Sequence, residues 1–164
     1  EAEVDRLLRL TRFELEKFDE VESKLVSMKD RLDHTPSIWP TKGWNSRGYG
    51  MKFDPFTGYK QFHRGIDIAN KTGTPIIATA RGRIKSVGRA GSMGKTIVID
   101  HGYGFSTRYG HLSEFTVKRG QKVDRGDVIG YMGSTGYSTG PHLHYEVWRN
   151  GKALSPVDHI LNQK

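Results

Sequence analysis

The sequence predicts a mostly β domain, an antiparallel, Gly-rich sandwich or barrel-like sheet, preceded by one long N-terminal α-helix. Three observations point there. Twenty glycines are spread beside Thr, Val, Ile and Tyr, the pattern of short strands joined by tight turns. Six short β-prone runs follow one another at close spacing after residue 74. The first 33 residues, by contrast, contain neither Gly nor Pro. At 164 residues and 35% hydrophobic content the chain suffices for one core and an appendage, and is too short for two large domains.

From Glu1 to about Asp33, apolar residues recur at Val4, Leu8, Leu15, Phe18, Val21, Leu25, Met28 and Leu32, with Thr11 filling one gap. Intervals of three and four make an apolar stripe along a helix of roughly nine turns. Length and stripe fit a coiled-coil strand. The 15, 18, 21 spacing breaks heptad phase, so a short antiparallel or intramolecular packing fits equally, and a linker helix exposed by truncation competes with both. The chain starts inside this helix at Glu1, without Met, as expected of a fragment or processed form whose targeting segment is gone. No apolar run approaches the roughly 20 residues that span a bilayer.

The segment HTPSIWP, His34 to Pro40, stops the helix, because proline disfavours helical backbone at and before its own position. The expected organisation is a helix over 1–33, a linker over 34–40 and a domain over 41–164. Thr41 to Phe62 reads as a short strand and a hairpin-like loop carrying Trp44, Tyr49, Phe53, Phe56, Tyr59 and Phe62. These aromatics either line a groove or seal one end of the sheet. Strands are then expected at Pro75 to Ala80, Arg83 to Val87, Thr96 to Asp100, Phe105 to Tyr109, Val128 to Met132 and His142 to Trp148, with glycine-bearing turns between them. Pro156 to Leu161 is expected to form a short turn or helix.

Composition excludes some chemistry. There is no cysteine, which removes disulfides, thiolate nucleophiles and Cys-based zinc sites. No GxSxG elbow is present to support a serine triad. The net charge of +8 divides into −3 over residues 1–33 and +11 over residues 34–164. The basic domain favours an anionic partner, although no nucleic-acid-binding motif accompanies the charge.

The chemistry concentrates in GPHLHYEVW, Gly140 to Trp148. Strand side chains alternate faces, so His142 and His144 point one way while Leu143, Tyr145 and Val147 point the other. Taken alone, such a pair is either solvated or a metal site. Two further segments bear on that choice: His63-Arg64-Gly65-Ile66-Asp67 and Tyr109-Gly110-His111-Leu112-Ser113. His63 and Asp67, four apart with a glycine between, can converge from a bent loop or strand end and, with one histidine of the pair, supply two nitrogens and one oxygen. Three protein ligands and an open position are the pattern of catalytic zinc. Two imidazoles would then remain for proton transfer and stabilisation of charge on an attacked carbonyl.

HRGID, YGHLS, GQKVDRGDVIGYMGSTGYSTGPHLHYEV and the upstream GYGMKFDPFTGYKQF closely resemble the lysostaphin-like (LytM-type) zinc metallopeptidases, which cut peptide bonds in bacterial peptidoglycan. The likeness runs from about Pro40 to Pro156 and leaves residues 1–33 uncovered. It implies zinc ligands at His63, Asp67 and His144 and catalytic histidines at His111 and His142. All five positions hold the expected residue, as in active members; relatives that have lost them activate other wall hydrolases. It further implies a groove floored by the sheet and walled by loops, and a setting in the bacterial cell envelope, whether periplasm or extracellular wall.

Around this set, Glu146 shares the parity of the histidine pair and either orients a ligand or is solvated or salt-bridged. Asn45 offers an oxygen to an open zinc position in a latent form, or is ordinary turn chemistry. Ser134, Thr135, Ser138 and Thr139 either bind substrate backbone or build a turn. His34, His101 and His159 match no ligand position and are expected at the surface or in turns. Two alternatives stand beside the zinc endopeptidase: a cell-wall regulatory module that recruits another hydrolase through its helix, where self-association is also possible, and a nucleic-acid binder, disfavoured by the missing motif. Membrane attachment is expected only through segments outside this sequence.

Overall fold

A computed structural model of the chain describes residues 2–161. Glu1 and residues 162–164, which fall within the expected helix and domain, lie outside the described residues. The chain forms two compact units that meet between Asp33 and His34.

The first unit is α1, Ala2–Asp33, one uninterrupted helix of 32 residues. Glu3 and Asp5 in its first turn and Arg31 in its last complement the helix dipole. Glu20 pairs with Lys17 and Lys24 at 3.3 and 2.7 Å on the polar face. None of its described residues is buried; on the apolar stripe Phe18 is 71% and Leu25 61% exposed.

The second unit is antiparallel β structure. Its strands are β1 (Trp44–Arg47), β2 (Gly50–Phe53), β3 (Lys60–His63), β4 (Ile66–Ala69), β5 (Pro75–Ile77), β6 (Gly82–Arg89) and β7 (Lys95–Gly102). They continue as β8 (Phe105–Gly110), β9 (Leu112–Phe115), β10 (Lys122–Val123), β11 (Val128–Met132), β12 (His142–Arg149) and β13 (Lys152–Leu154). The main sheet has eight strands in the order β1-β4-β12-β8-β7-β6-β10, with β13 also on β12. A three-stranded sheet, β5-β11-β9, and the hairpin β2-β3 complete the unit. The main sheet is open, with β1 and β10 at its ends, so the barrel-like alternative is not realised as a closed barrel.

The two larger sheets share one core. Ile66, Ile68, Ile97, Ile99, Leu143 and Tyr145 on the main sheet belong to the same buried cluster as Ile76, Leu112, Ile129 and Met132 on the small one. Each of these side chains contributes about 1.5–3 kcal/mol by leaving water. Alternation therefore turns the other face of β4 and β12 away from the core, and that face carries the histidines.

Several elements depart from the sequence reading. The run expected at Pro75 to Ala80 ends as a strand at Ile77, because the Ala78 N–H bonds the Asp127 carbonyl at 2.9 Å outside the ladder. β3, β4, β9, β10 and β13 are strands of two to four residues, too short to show a period. The expected hairpin-like loop is β2-turn-β3, its turn fixed by the Asp54 carboxylate accepting the N–H groups of Phe56 and Thr57 at 2.9 and 2.8 Å. Its aromatics divide: Phe56 and Phe62 line a groove, Tyr49 packs against the core, and Trp44, Phe53 and Tyr59 are exposed. The tail forms the expected short turn, a 3₁₀ helix over Pro156–His159.

His101 corrects the expectation of a surface or turn position. It lies on β7, 1% exposed, with Nδ1–H donating to the Arg81 carbonyl and Nε2 facing the Thr107 hydroxyl, each at 2.8 Å. From Thr107 a chain of hydroxyls runs through Tyr109 and Thr79 to Tyr145. The short Asp-His-Gly-Tyr-Gly stretch has turn composition, but its His belongs to the strand before the turn. Of the others, His34 sits in the turn after α1 and His159 is half-buried beside Phe105, ring centroids 5.8 Å apart.

Candidate metal centre

The site begins with strand register. β4 and β12 pair antiparallel so that Asp67 stands directly opposite His144, Ile68 opposite Leu143 and Ile66 opposite Tyr145. The isoleucines, Leu143 and Tyr145 occupy the core, which forces Asp67 and His144 onto the opposite face as a cross-strand pair. His63 is the last residue of β3, and a two-residue link, Arg64-Gly65, leads from it into β4. A side chain at Gly65 would collide with the Tyr145 carbonyl oxygen and crowd Glu146, so this link can lie against β12 only as glycine. That is the physical content of the glycine between His63 and Asp67.

Three donor atoms converge here. Asp67 Oδ1 is 2.8 Å from His144 Nδ1, His63 Nε2 is 3.0 Å from His144 Nδ1, and His63 Nε2 is 3.2 Å from Asp67 Oδ1. Zinc bonds of 2.0–2.2 Å at tetrahedral angles place ligand atoms about 3.3–3.6 Å apart. The triangle is tighter than that spacing by up to about 0.8 Å, so the three side chains would spread on taking up a metal, and its two imidazole nitrogens and one carboxylate suit zinc.

Hydrogen bonds settle which nitrogen is available. The Nδ1–H of His63 donates to the Gly48 carbonyl at 2.9 Å, leaving Nε2 as the lone-pair donor. On His144 the order is reversed: Nε2–H donates to Glu146 Oε1 at 3.0 Å, leaving Nδ1 toward the triangle. Carbonyl and carboxylate oxygens only accept, so each partner fixes the tautomer and hence the atom that can bind a metal.

Without a cation the triangle holds a proton. Burial opposes charge on His144, but hydrogen bonds and charges from Asp67 and Glu146 outweigh it and raise its pKa to about 9. Burial likewise works against the Asp67 carboxylate, yet the hydrogen bonds and charges of His144 and His63 hold it well below the usual carboxylate range. Glu146 is lowered on the same pattern, with His144, Trp148 and Arg108 overcoming its burial.

His111 and His142 stand beside the triangle. Their ring centroids are 4.5 Å apart, and that of His111 is 6.1 Å from that of His144. His142 Nδ1–H donates to the Gly140 carbonyl at 2.9 Å, and its Nε2 lies 3.9 Å from Asp67 Oδ1. His111 Nδ1–H donates to the Thr135 carbonyl at 2.7 Å. With Nδ1 committed, Nε2 is on each ring the nitrogen that can take up or hand on a proton. Burial of His111 pushes its pKa down to about 4, with the Thr135 carbonyl opposing. His111 holds its position with a φ of 63°, a left-handed conformation that ends β8 and turns the chain into β9.

All five sequence-predicted residues line one groove of about 790 Å³. Glu146 is buried and hydrogen-bonded to His144, which is the orienting alternative, and it also takes the Trp148 indole N–H at 2.6 Å. Asn45, on β1, pairs with Ile68 of β4 and is exposed outside the groove walls. Thr135 serves architecture: its carbonyl holds His111 and its hydroxyl bonds the Leu112 carbonyl at 2.8 Å. Ser138 and Thr139 line the groove, with the Ser138 hydroxyl 3.3 Å from His142 Nδ1, whereas Ser134 bonds Ser138 at 3.0 Å. The sequence reading missed Arg64, Arg108 and Tyr137 among the groove residues. Arg108 was findable only through pairing, since it stands opposite Glu146 across β8 and β12.

A model of Peptidase family M23 matches residues 61–156 of this chain. The chain is 46% identical over 116 residues to the DD-carboxypeptidase/endopeptidase Mpg of Neisseria meningitidis, covering 71% of this chain and 27% of that protein. It is 41% identical over 106 residues to the peptidoglycan DD-endopeptidase ShyA of Vibrio cholerae, covering 65% of this chain and 25% of that protein. Among solved structures it is similar to a zinc containing peptidase from Vibrio cholerae, with a TM-score of 0.69 and 33% identity over 74% of this chain and 39% of that one. It is also similar to the catalytic domain of lysostaphin from Staphylococcus simulans, with a TM-score of 0.65 and 34% identity over 71% of this chain and 90% of that one. The chain spans about a quarter of the length of these two curated relatives. With the family model running from Gln61 through all five groove residues to Pro156, the chain belongs to peptidase family M23.

Proposed function

We propose that this chain is a zinc-dependent endopeptidase that hydrolyses peptide bonds in peptidoglycan, with His63, Asp67 and His144 holding zinc and His111 and His142 moving protons. The observation that carries the reading is the triangle of His63 Nε2, Asp67 Oδ1 and His144 Nδ1, closed to 2.8–3.2 Å beside two imidazoles whose Nδ1 atoms are already committed to carbonyls. Zinc supplies Lewis acidity, which polarises a peptide carbonyl and lowers the pKa of water to about 7. The Nε2 of one histidine takes the proton of the attacking water and returns it to the leaving amine. The other imidazole stands beside the oxygen on which charge grows and helps to stabilise it.

The names of the Neisseria and Vibrio relatives support peptidoglycan as substrate and a D,D bond as the one cut. They also support a place in the bacterial cell envelope, periplasm or extracellular wall; among the described residues no helix is long and apolar enough to cross a membrane. The +11 of residues 34–164 suits an anionic wall. The domain organisation proposed is a helix over 1–33, a linker over 34–40 and the catalytic domain over 41–164.

Mass spectrometry of products from purified peptidoglycan, with metal content measured in parallel, tests the activity. One zinc per chain and release of muropeptide fragments are expected, both lost in His144→Ala. Zinc-loaded protein that releases nothing, with His144→Ala equivalent to wild type, would end the reading. The exposed stripe of α1 favours a second role, self-association or recruitment of another hydrolase through a coiled-coil-like contact. Partner binding should then survive His111→Ala and vanish on deleting residues 1–33.

A further inference from the structure

The groove continues past the donor triangle along β12. His144, Glu146 and Trp148 alternate onto one face, so Trp148 stands beyond the triangle by four residues and Glu146 by two. The indole is held in one orientation by its N–H bond to Glu146 Oε2 at 2.6 Å. Two guanidinium groups lie against its ring. Arg108 stacks with its Cζ 4.4 Å from the centroid, and Arg64 approaches to 5.9 Å. Both arginines line the groove.

The acids of the groove are engaged elsewhere. Asp54 accepts two N–H groups in its own turn, and Asp67 belongs to the triangle. Glu146 gives its oxygens to His144 and Trp148 and reaches Arg108 only at 3.6 Å. Among the described residues Arg64 forms no ion pair, and it is exposed. Two forked donors on one aromatic platform, Arg64 with no ion pair among the described residues and Arg108 with only the long one to Glu146, match the planar two-oxygen geometry of a carboxylate better than any neutral peptide group.

From these contacts we infer that Arg64 and Arg108, mounted on Trp148, form a subsite for a free carboxylate of the peptide substrate. Glu146 stands two residues along β12 from His144, about 7 Å at the rise of a strand. An extended peptide covers roughly 3.5 Å per residue, so the carboxylate lies within about two residues of the bond cut. The inference rests on the proposed endopeptidase activity and adds to it the anionic group by which the site distinguishes one peptide from another.

The test uses zinc-loaded protein and synthetic cross-linked stem peptides in which one carboxylate at a time is converted to its carboxamide. Amidation within two residues of the cut should lower kcat/KM roughly tenfold, chiefly through KM, the worth of one charge-assisted hydrogen bond. Amidation farther away should change it by less than about twofold. In Arg64→Gln the acid-to-amide preference should collapse, while Arg119→Gln, exposed in the β9–β10 turn, should retain it. Equal rates for acid and amide in wild type, or an undiminished preference in Arg64→Gln, would overturn the subsite. Titration calorimetry with the same peptides reads the preference without turnover. A chain that binds acid over amide yet cleaves neither would fail the proposed activity and keep the subsite, and one that binds both alike would lack the subsite whatever its activity.

Discussion

Replacing Glu146 by glutamine should weaken zinc binding, by an amount that depends on pH in a defined direction. Glu146 is buried and accepts two hydrogen bonds, from His144 Nε2–H at 3.0 Å and Trp148 Nε1–H at 2.6 Å. Glutamine keeps the shape but has one accepting oxygen and one donating amide, so it can serve only one of those donors. It also removes the charge that makes His144 Nδ1 a more basic ligand. Loss of such a partner costs about 10- to 100-fold in metal affinity, or roughly 1.4–2.7 kcal/mol.

Proton competition acts the other way. Metal must displace the proton that His144 holds with a pKa of about 9, so wild-type zinc affinity should climb nearly tenfold per pH unit above pH 7 and level off as pH 9 is approached. Burial lowers that pKa while Asp67 and Glu146 raise it, so glutamine at 146 brings it down and lessens the competition near neutrality. The deficit of Glu146→Gln should therefore be largest near pH 9 and smaller at pH 7. Competition against a chelator of known affinity across this range measures it. Unchanged affinity at pH 9, or a deficit that grows toward pH 7, would refute the assignment of Glu146 as the group that orients His144.

Other outcomes follow from the same structure. Gly65→Ala drives a methyl group into the Tyr145 carbonyl and should destabilise the domain by about 2 kcal/mol in urea unfolding, with loss of zinc as Asp67 moves off His144; an unchanged midpoint would mean the link does not touch β12. His101 is neutral in the fold with a pKa near 4, because burial outweighs its bond to the Arg81 carbonyl, while the unfolded chain protonates it below about 6.5. Its contribution is present above pH 6.5 and falls by roughly 3 kcal/mol as pH drops to 4, so His101→Gln should flatten stability over that window. Raising salt should weaken binding to whole sacculi more than it slows hydrolysis of a small soluble peptide, since the +11 domain acts on an anionic surface through screened charge. Equal sensitivity of the two would locate the electrostatics in the groove itself.

What the sequence revealed of the fold depended on local periodicity. β6, β7, β8, β11 and β12 are five- to eight-residue runs of β-branched and aromatic residues between glycines, and each stands where the sequence predicts a strand. β10 and β13 have two and three residues, and no alternation exists over that length; β10 is placed by its pairing with the distant β6, and β13 by the Asn150-Gly151 turn that folds it back onto β12. His101 was misread for a related reason. Turn composition on its C-terminal side says where the chain reverses, and only the tertiary core says that the residue before the reversal is enclosed.

The site divides along the same line. Parity on β12 gives the direction of His142 and His144 without knowledge of any other strand, because a period of two is a property of the backbone. Which atom of each ring faces the groove is set by hydrogen-bond partners that strand parity does not reveal. Gly48 fixes His63, Thr135 fixes His111, and Glu146, two residues along the same strand, fixes His144. The histidines of the pair consequently present different nitrogens despite their common face: Nδ1 of His144 points into the triangle, whereas Nδ1 of His142 is bound to the Gly140 carbonyl and only its Nε2 is left, 3.9 Å from Asp67. A ring that offers Nδ1 at 2.8 Å from a carboxylate oxygen can complete a ligand set with it. A ring that reaches the same oxygen only at 3.9 Å stays at the edge of that set, which is the ground for proposing His142 as a proton carrier and not a ligand. The division of labour proposed for the two histidines of this strand thus rests on the acceptors around them, the Gly140 carbonyl on one side and the Glu146 carboxylate on the other.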